Sequence, residues 1–306
     1  MKRGVHARGG RSDWARYRAA LRRTPVALWN DDVSDWAAAL TYYAILTVLP
    51  TLFVTLTVIG LADPSGTEAL IAYVAGIAPA GTDTALNDAL HDVSRGHSTT
   101  WILTAVGAAS AVWSACSFLS VFRRALHAMY GTPDSRPVLR RAPAILAMAL
   151  LLLTLLVAAA LTLVVTGPVA RALGRPLGLG EQTAAVWDFL RWPFLVFVAG
   201  LLVLLLFRSG PPESRAVSHA VPGGLVAGAL WLLASVGFAL YASYAAGTYS
   251  RLYGSLAGVV VFLIWLWFSN LALLAGAQFN ALLARTAATS RTPRPPRRPA
   301  VPAVPR

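Results

Sequence analysis

Charge is scarce in this sequence. Only 13% of its 306 residues are Asp, Glu, Lys or Arg, about half the share usual in a soluble domain, which excludes a soluble enzyme fold. There is one cysteine, Cys116, inside an apolar run, so an internal disulfide and a secreted disulfide scaffold are excluded and the thiol reads as a small packing residue. Signatures of hydrolytic chemistry are missing as well. The chain has no HExxH, no GxSxG and no Walker loop, and His6, His91, His97, His127 and His219 fall in separate contexts. No cofactor and no resident metal are expected, and a non-enzyme is the stronger class. Asp88, His91 and Asp92 have a spacing that could bind a metal, but a solvated acidic helix face is the simpler reading. Lysine is almost absent, with 25 Arg to 1 Lys, a bias of composition from which no function follows.

What the sequence has is apolar length. Residues of the AVILMFWYC set make up 57% of the chain, and runs of about 20 or more suffice to cross about 30 Å of hydrocarbon. Six such runs lie near 36–61, 101–122, 142–167, 188–207, 217–247 and 255–284, with the charge gathered between them. Lipid offers no partner to an open strand edge. The expected fold is therefore all-α: a polytopic membrane helix bundle of six transmembrane helices, with short outer-surface helices and an N-terminal interfacial helix.

Lys and Arg on alternate sides of these spans number 21 against 5, which predicts cytoplasmic N- and C-termini and a multi-pass plasma-membrane protein. The first run starts after 35 residues and lacks a small-residue cleavage pattern, so it reads as a retained anchor. Residues 1–30 form a basic segment in which Trp14, Tyr17, Leu21 and Leu28 alternate with Arg16, Arg18, Arg22 and Arg23. This predicts an amphipathic helix on the inner leaflet up to Pro25. Residues 31–285 are the membrane domain, and 286–306 read as a disordered Pro/Arg tail held near anionic lipid by charge. No specific nucleic-acid binding is expected of that tail, because no stacking aromatics interrupt its arginines. In the loop 62–100, Ser65 with Glu68 and the stripe Leu86, Leu90 and Val93 predict two short surface helices.

Inside the spans, small residues four apart mark helix contacts. They form the tracks Gly107, Ala111 and Ala115; Ser235, Ala239, Ser243 and Gly247; and Ser269, Ala272, Gly276 and Asn280, with Gly224/Gly228 and Gly254/Gly258 as GxxxG pairs. In the first span Thr47, Thr51 and Thr55 share a stripe with Tyr42 nearby, and Pro50 removes a backbone donor. That stripe suits either packing or the wall of a polar cavity. Asn270, Gln278 and Asn280 in the last span need partners, and helix-to-helix hydrogen bonds compete with a cavity lining for them. No Asp, Glu, His or Arg is expected at depth, which argues against a proton-coupled pump or a voltage sensor.

Three segments resemble the YihY/BrkB membrane proteins, once labelled ribonuclease BN: AALTYYAILTVLP at 38–50, FRRALHAMYG at 122–131 with Arg136 after it, and the stretch from Pro222 to Ala281, including the block from Tyr253 to Asn280. The resemblance covers roughly residues 30 to 285. It implies a six-helix inner-membrane protein without an established activity, in a family linked to virulence, serum resistance and envelope lipid export. His127 stands where many relatives have Asn, and Gln278 where many have Glu. Titration or cation binding by such a Glu is therefore not expected at position 278 itself. The resulting expectation is a protein that handles or exports a lipid or other amphiphile between the first, fifth and sixth spans. Arg123, Arg124, Arg136, Arg140 and Arg141 would form the head-group rim, and Tyr42, Thr47, Pro50, Thr51 and Asn270 the path. Membrane lipids are the expected partners, with a homo-oligomer or envelope proteins beside them. A membrane scaffold that moves nothing is the competing class.

Overall fold

Among the described residues, five of the seven long helices contain a proline, and the two without one hold the bundle together. A computed structural model describes residues 7–62, 98–132, 138–164, 180–214, 217–253 and 257–291. The helices are α1 (Ala7–Asn30), α2 (Val33–Ala62), α3 (Ser98–Tyr130), α4 (Val138–Val164), α5 (Gly180–Arg208), α6 (Val217–Tyr253) and α7 (Ala257–Arg291), with a short 3-10 turn at Pro212–Ser214. No strand occurs among the described residues. Pro25, Pro50, Pro143, Pro193 and Pro222 lie in α1, α2, α4, α5 and α6, whereas α3 and α7 keep an uninterrupted ladder of backbone hydrogen bonds.

Helix α7 is the hub. It packs most extensively on α6 and also meets α1, α2 and α3, while α2 pairs with α3, and α4 links α3 to α5. Among the described residues, segments of five helices are long and apolar enough to cross a membrane, Thr104–Tyr130, Arg140–Thr162, Phe189–Arg208, Ala220–Tyr241 and Ala257–Thr286. Helix α2 coincides with the first of the six runs read from sequence but is not among those five.

Burial concentrates at one end of the bundle, where α2 and α6 begin and α3, α5 and α7 end. Val33, Leu40, Phe122, Leu126, Met129, Phe207, Leu274 and Ala281 belong to one buried cluster there. The rings of Phe118, Phe122 and Phe207 stack nearly parallel at 6.5 and 6.3 Å, which ties α3 to α5. Toward the opposite end, Ile102, Val106, Phe189, Leu232, Leu240 and Tyr244 are exposed, a surface suited to acyl chains rather than water.

Two boundaries differ from expectation. Helix α1 does not stop at Pro25 but continues to Asn30, because Ala20 and Thr24 are buried and Leu28 packs on the core. Tertiary packing thus outweighs the lost donor. Helix α7 runs to Arg291, so the first six residues assigned to the disordered tail are helical. The loop 63–97 with Asp88, His91 and Asp92, the residue Arg136 and the tail after 291 lie outside the described residues.

Candidate functional site

The polar groups of α7 are shared out among its neighbours. Asn270 Nδ2 donates to Thr41 Oγ1 on α2 at 3.1 Å, and that hydroxyl donates in turn to Ala37 O at 2.8 Å. Asn280 reaches α6, where its Oδ1 accepts from Gly223 N at 2.8 Å and its Nδ2 donates to Ala220 O at 3.2 Å. Both contacts flank Pro222, so the amide ties α7 to backbone groups of α6 on either side of that proline. Gln278 is fully buried at 0% exposure, and its Nε2 donates to Asp31 Oδ2 at 2.6 Å. Three amides on one helix therefore engage α2, α6 and the turn between α1 and α2.

Close approach makes the second of these contacts possible. A Cβ on Gly223 would collide with Asn280 and with the carbonyl of Gly276, and one on Gly276 would meet Gly223 O and sit 2.6 Å from Ala227 Cβ. The tight crossing thus runs through Gly223 and Ala227 rather than through the GxxxG pair read from sequence. Gly228 has nothing within 4 Å, and Gly224 would make only an ordinary 3.7 Å contact with Val203. Further along the same pair of helices, Trp231 Nε1 donates to Ser269 Oγ at 3.1 Å and Trp265 Nε1 to Ser235 Oγ at 3.2 Å. The spacing Trp-x-x-x-Ser on each helix was the available signal for this clasp.

On α2, Thr47 and Thr51 are buried and Pro50 is half-buried. Thr47 Oγ1 donates to Tyr43 O at 2.8 Å within its own helix. Tyr42, expected beside them on the path, is 61% exposed. One residue turns a helix by about 100°, so Thr41 rather than Tyr42 meets α7. The side chain of Thr55 lies outside the described residues.

The basic rim is partly visible. Arg123 and Arg124 lie near the end of α3 and Arg140 and Arg141 in the first turn of α4, so the short connection 131–137 leaves all four at one end of the bundle. Arg124 and Arg140 are exposed, and Arg123 and Arg141 half-buried. Sequence reasoning missed Arg285, which crosses from α7 and donates to Met129 O at the end of α3. Helix α3 closes there with Gly131 at φ +66°, Gly131 N on Ala128 O at 3.1 Å and Thr132 N on His127 O at 3.1 Å. A left-handed glycine and crossed bonds of this kind cap the last turn, and the guanidinium adds a positive charge at the negative end of the helix. His127 Nδ1 completes the cap on Thr132 O at 2.9 Å.

The family model described as Virulence factor BrkB matches residues 25–300 of the chain. A putative ribonuclease-like protein YfkH of Bacillus subtilis is 27% identical over 249 residues, 81% of this chain and 88% of the relative. A UPF0761 membrane protein of Halorhodospira halophila is 31% identical over 261 residues, and there the match spans only 53% of the relative's length. A UPF0761 membrane protein of Tolumonas auensis is 38% identical over 91 residues, 29% of its length. No solved structure matches the chain.

Proposed function

The chain belongs to the BrkB family of membrane proteins, and from that premise we propose that it handles or exports a lipid or other amphiphile across a bacterial plasma membrane. In this reading α2 is the sixth span beside the five apolar segments, and both termini face the cytoplasm, a placement supported by the 21 to 5 distribution of Lys and Arg. Helix α1 lies along the inner leaflet with Leu21, Val26 and Trp29 exposed to lipid. The protein acts without catalysis, and its partners are lipids.

The observation that supports transport is polarity without charge. Thr41, Thr47 and Thr51 are buried hydroxyls on a proline-interrupted α2, set beside α7, while the arginines stay at the rim. A head group passing such a wall meets hydrogen-bonding groups and no fixed charge to trap it. The scaffold reading has its own support, since Asn270 and Asn280 spend their amides on neighbouring helices.

Native mass spectrometry of the full chain, together with movement of a labelled lipid in proteoliposomes, separates the two. Retained lipid and transbilayer movement that falls in Thr51→Val, a change that keeps shape and removes the hydroxyl, support transport. Neither retention nor movement means scaffold. The orientation is tested by Ser94→Cys, which is labelled from outside intact cells if 62–100 is external. Labelling only after the cells are broken open would reverse it.

A further inference from the structure

Gln278 leaves one strong acceptor unused. Its Nε2 donates to Asp31 Oδ2 at 2.6 Å, while its Oε1 is buried with no hydrogen-bond partner, and the side chain as a whole is 0% exposed. Reversing the amide would only set Oε1 against the carboxylate, so the observed orientation is the one electrostatics favours. A buried, unpaired amide oxygen is costly, and here it stands next to an anion.

The neighbouring acids do not relieve this. Asp32, at φ +48°, opens α2, its carbonyl accepting Asp35 N at 3.0 Å and Trp36 N at 3.4 Å. Asp35 sits in the first turn of α2, where a negative charge is favoured by the helix dipole. Asp31 has no such duty, and Gln278 is its side-chain partner among the described residues. It also follows the C-terminal end of α1, where the helix dipole is negative. The start of α2, two residues further on, presents the opposite dipole end, so it is the Asp31 carboxylate itself that supplies the negative charge favouring a cation at this corner.

We propose that the Asp31 carboxylate and the Gln278 amide oxygen together hold a singly charged cation, supplied by the primary ammonium of an aminophospholipid or by an alkali ion. One carboxylate balances one positive charge, whereas a divalent ion takes six or more oxygens and commonly several carboxylates. Among the described residues no group of three His, Cys, Asp or Glu could hold a metal ion. A cation on Oε1 also polarises the amide and strengthens its N–H bond to Asp31. With Tyr17 of α1 stacked on Phe279 and Asp31, in the turn just after α1, bonded to Gln278, residues 14 apart meet adjacent positions of α7, so α1 passes across α7 and bounds the corner on one side. The lipid source rests on the amphiphile reading above; the alkali source does not.

The test uses the full chain in nanodiscs of equal parts phosphatidylethanolamine, phosphatidylcholine and phosphatidylglycerol, with retained lipids read by native mass spectrometry. Phosphatidylcholine carries the same charge on nitrogen but no N–H donor. In parallel, the thermal midpoint is measured in aminolipid-free detergent with sodium or potassium chloride against N-methylglucamine chloride. An ammonium source gives enrichment of phosphatidylethanolamine over phosphatidylcholine of roughly tenfold, the scale of one charge-assisted hydrogen bond. The enrichment disappears in Asp31→Asn and Gln278→Met and persists in Asp35→Asn. An alkali source gives a midpoint raised by sodium or potassium and insensitive to them in Asp31→Asn. Lipid retained by the wild type without head-group preference, and no alkali effect, overturns the cation site while leaving the amphiphile reading standing. Alkali stabilisation without retained lipid supports the site and refutes that reading. The wild-type measurements decide these outcomes even if a variant fails to fold.

Discussion

Trp231 and Ser269 face each other across the α6–α7 interface, and one turn away Ser235 and Trp265 repeat the pair in reverse, with bonds of 3.1 and 3.2 Å. The two indoles also meet edge to face at 6.3 Å. Because each helix contributes one donor and one acceptor at the same spacing, a slip of one residue breaks both bonds. The clasp thus fixes the register of two long apolar helices whose lipid-compatible surfaces would otherwise allow several.

Trp231→Phe should keep the ring contact and lose the hydrogen bond. Interhelical bonds of this kind contribute about 0.6 kcal/mol on average, and the coupling between Trp231→Phe and Ser269→Ala in a double-mutant cycle should be of that size. Thermal or denaturant unfolding in detergent measures it. A coupling near zero would mean that the indole points at Ser269 without leaning on it.

Gly276→Leu should destabilise the bundle by about 1 to 3 kcal/mol or more, the cost of overpacking, since even a Cβ there meets Gly223 and Ala227. Gly228→Leu is the control, because Gly228 has open space around it. The expected result is a lowered thermal midpoint for the first and an unchanged one for the second. Equal midpoints would place the crossing elsewhere.

The helices were legible because lipid allows few alternatives: an apolar run of sufficient length must satisfy its own backbone, and length alone marks its position. Which face of each helix meets which neighbour was not legible. Tyr42 and Thr41 are adjacent in sequence, yet one faces outward and the other bonds Asn270. Periodicity within one helix defines a face but does not name its partner. The glycines show the same limit, since GxxxG at 224/228 looked the stronger signal while Gly223 with Ala227 makes the contact. Asp31 and Arg285 were hidden for another reason. Their partners, Gln278 and Met129, lie 247 and 156 residues away, and no local pattern encodes such a distance.

Asn280→Leu should be more damaging than its matched branching suggests. It leaves Gly223 N and Ala220 O without their side-chain partner, at about 1 to 3 kcal/mol for each buried group left unpaired. Asn280→Asp retains an acceptor for Gly223 N and should recover part of the loss. Unfolding in detergent reads both, and equal effects of Leu and Asp would show that the bond to Gly223 N contributes nothing at this position.

The arginines at the basic end should separate by task. Arg285 donates to the Met129 carbonyl at the end of α3, beside the left-handed Gly131, so it tethers α7 to α3. Arg124 and Arg140 are exposed on consecutive helices, placed to meet an anionic leaflet at about 1 kcal/mol for each charge. Arg285→Gln should therefore lower the thermal midpoint with little change in the anionic lipid retained. The pair Arg124→Gln and Arg140→Gln should leave the midpoint in place and reduce retention of phosphatidylglycerol by roughly thirtyfold, the product of two such losses. Arg136→Gln belongs with the second group if that residue also recruits head groups. Thermal unfolding and native mass spectrometry on the same preparations give both readings. If the exposed pair changes neither quantity, the rim serves only to orient the protein in the membrane, and the scaffold reading gains the support that transport loses.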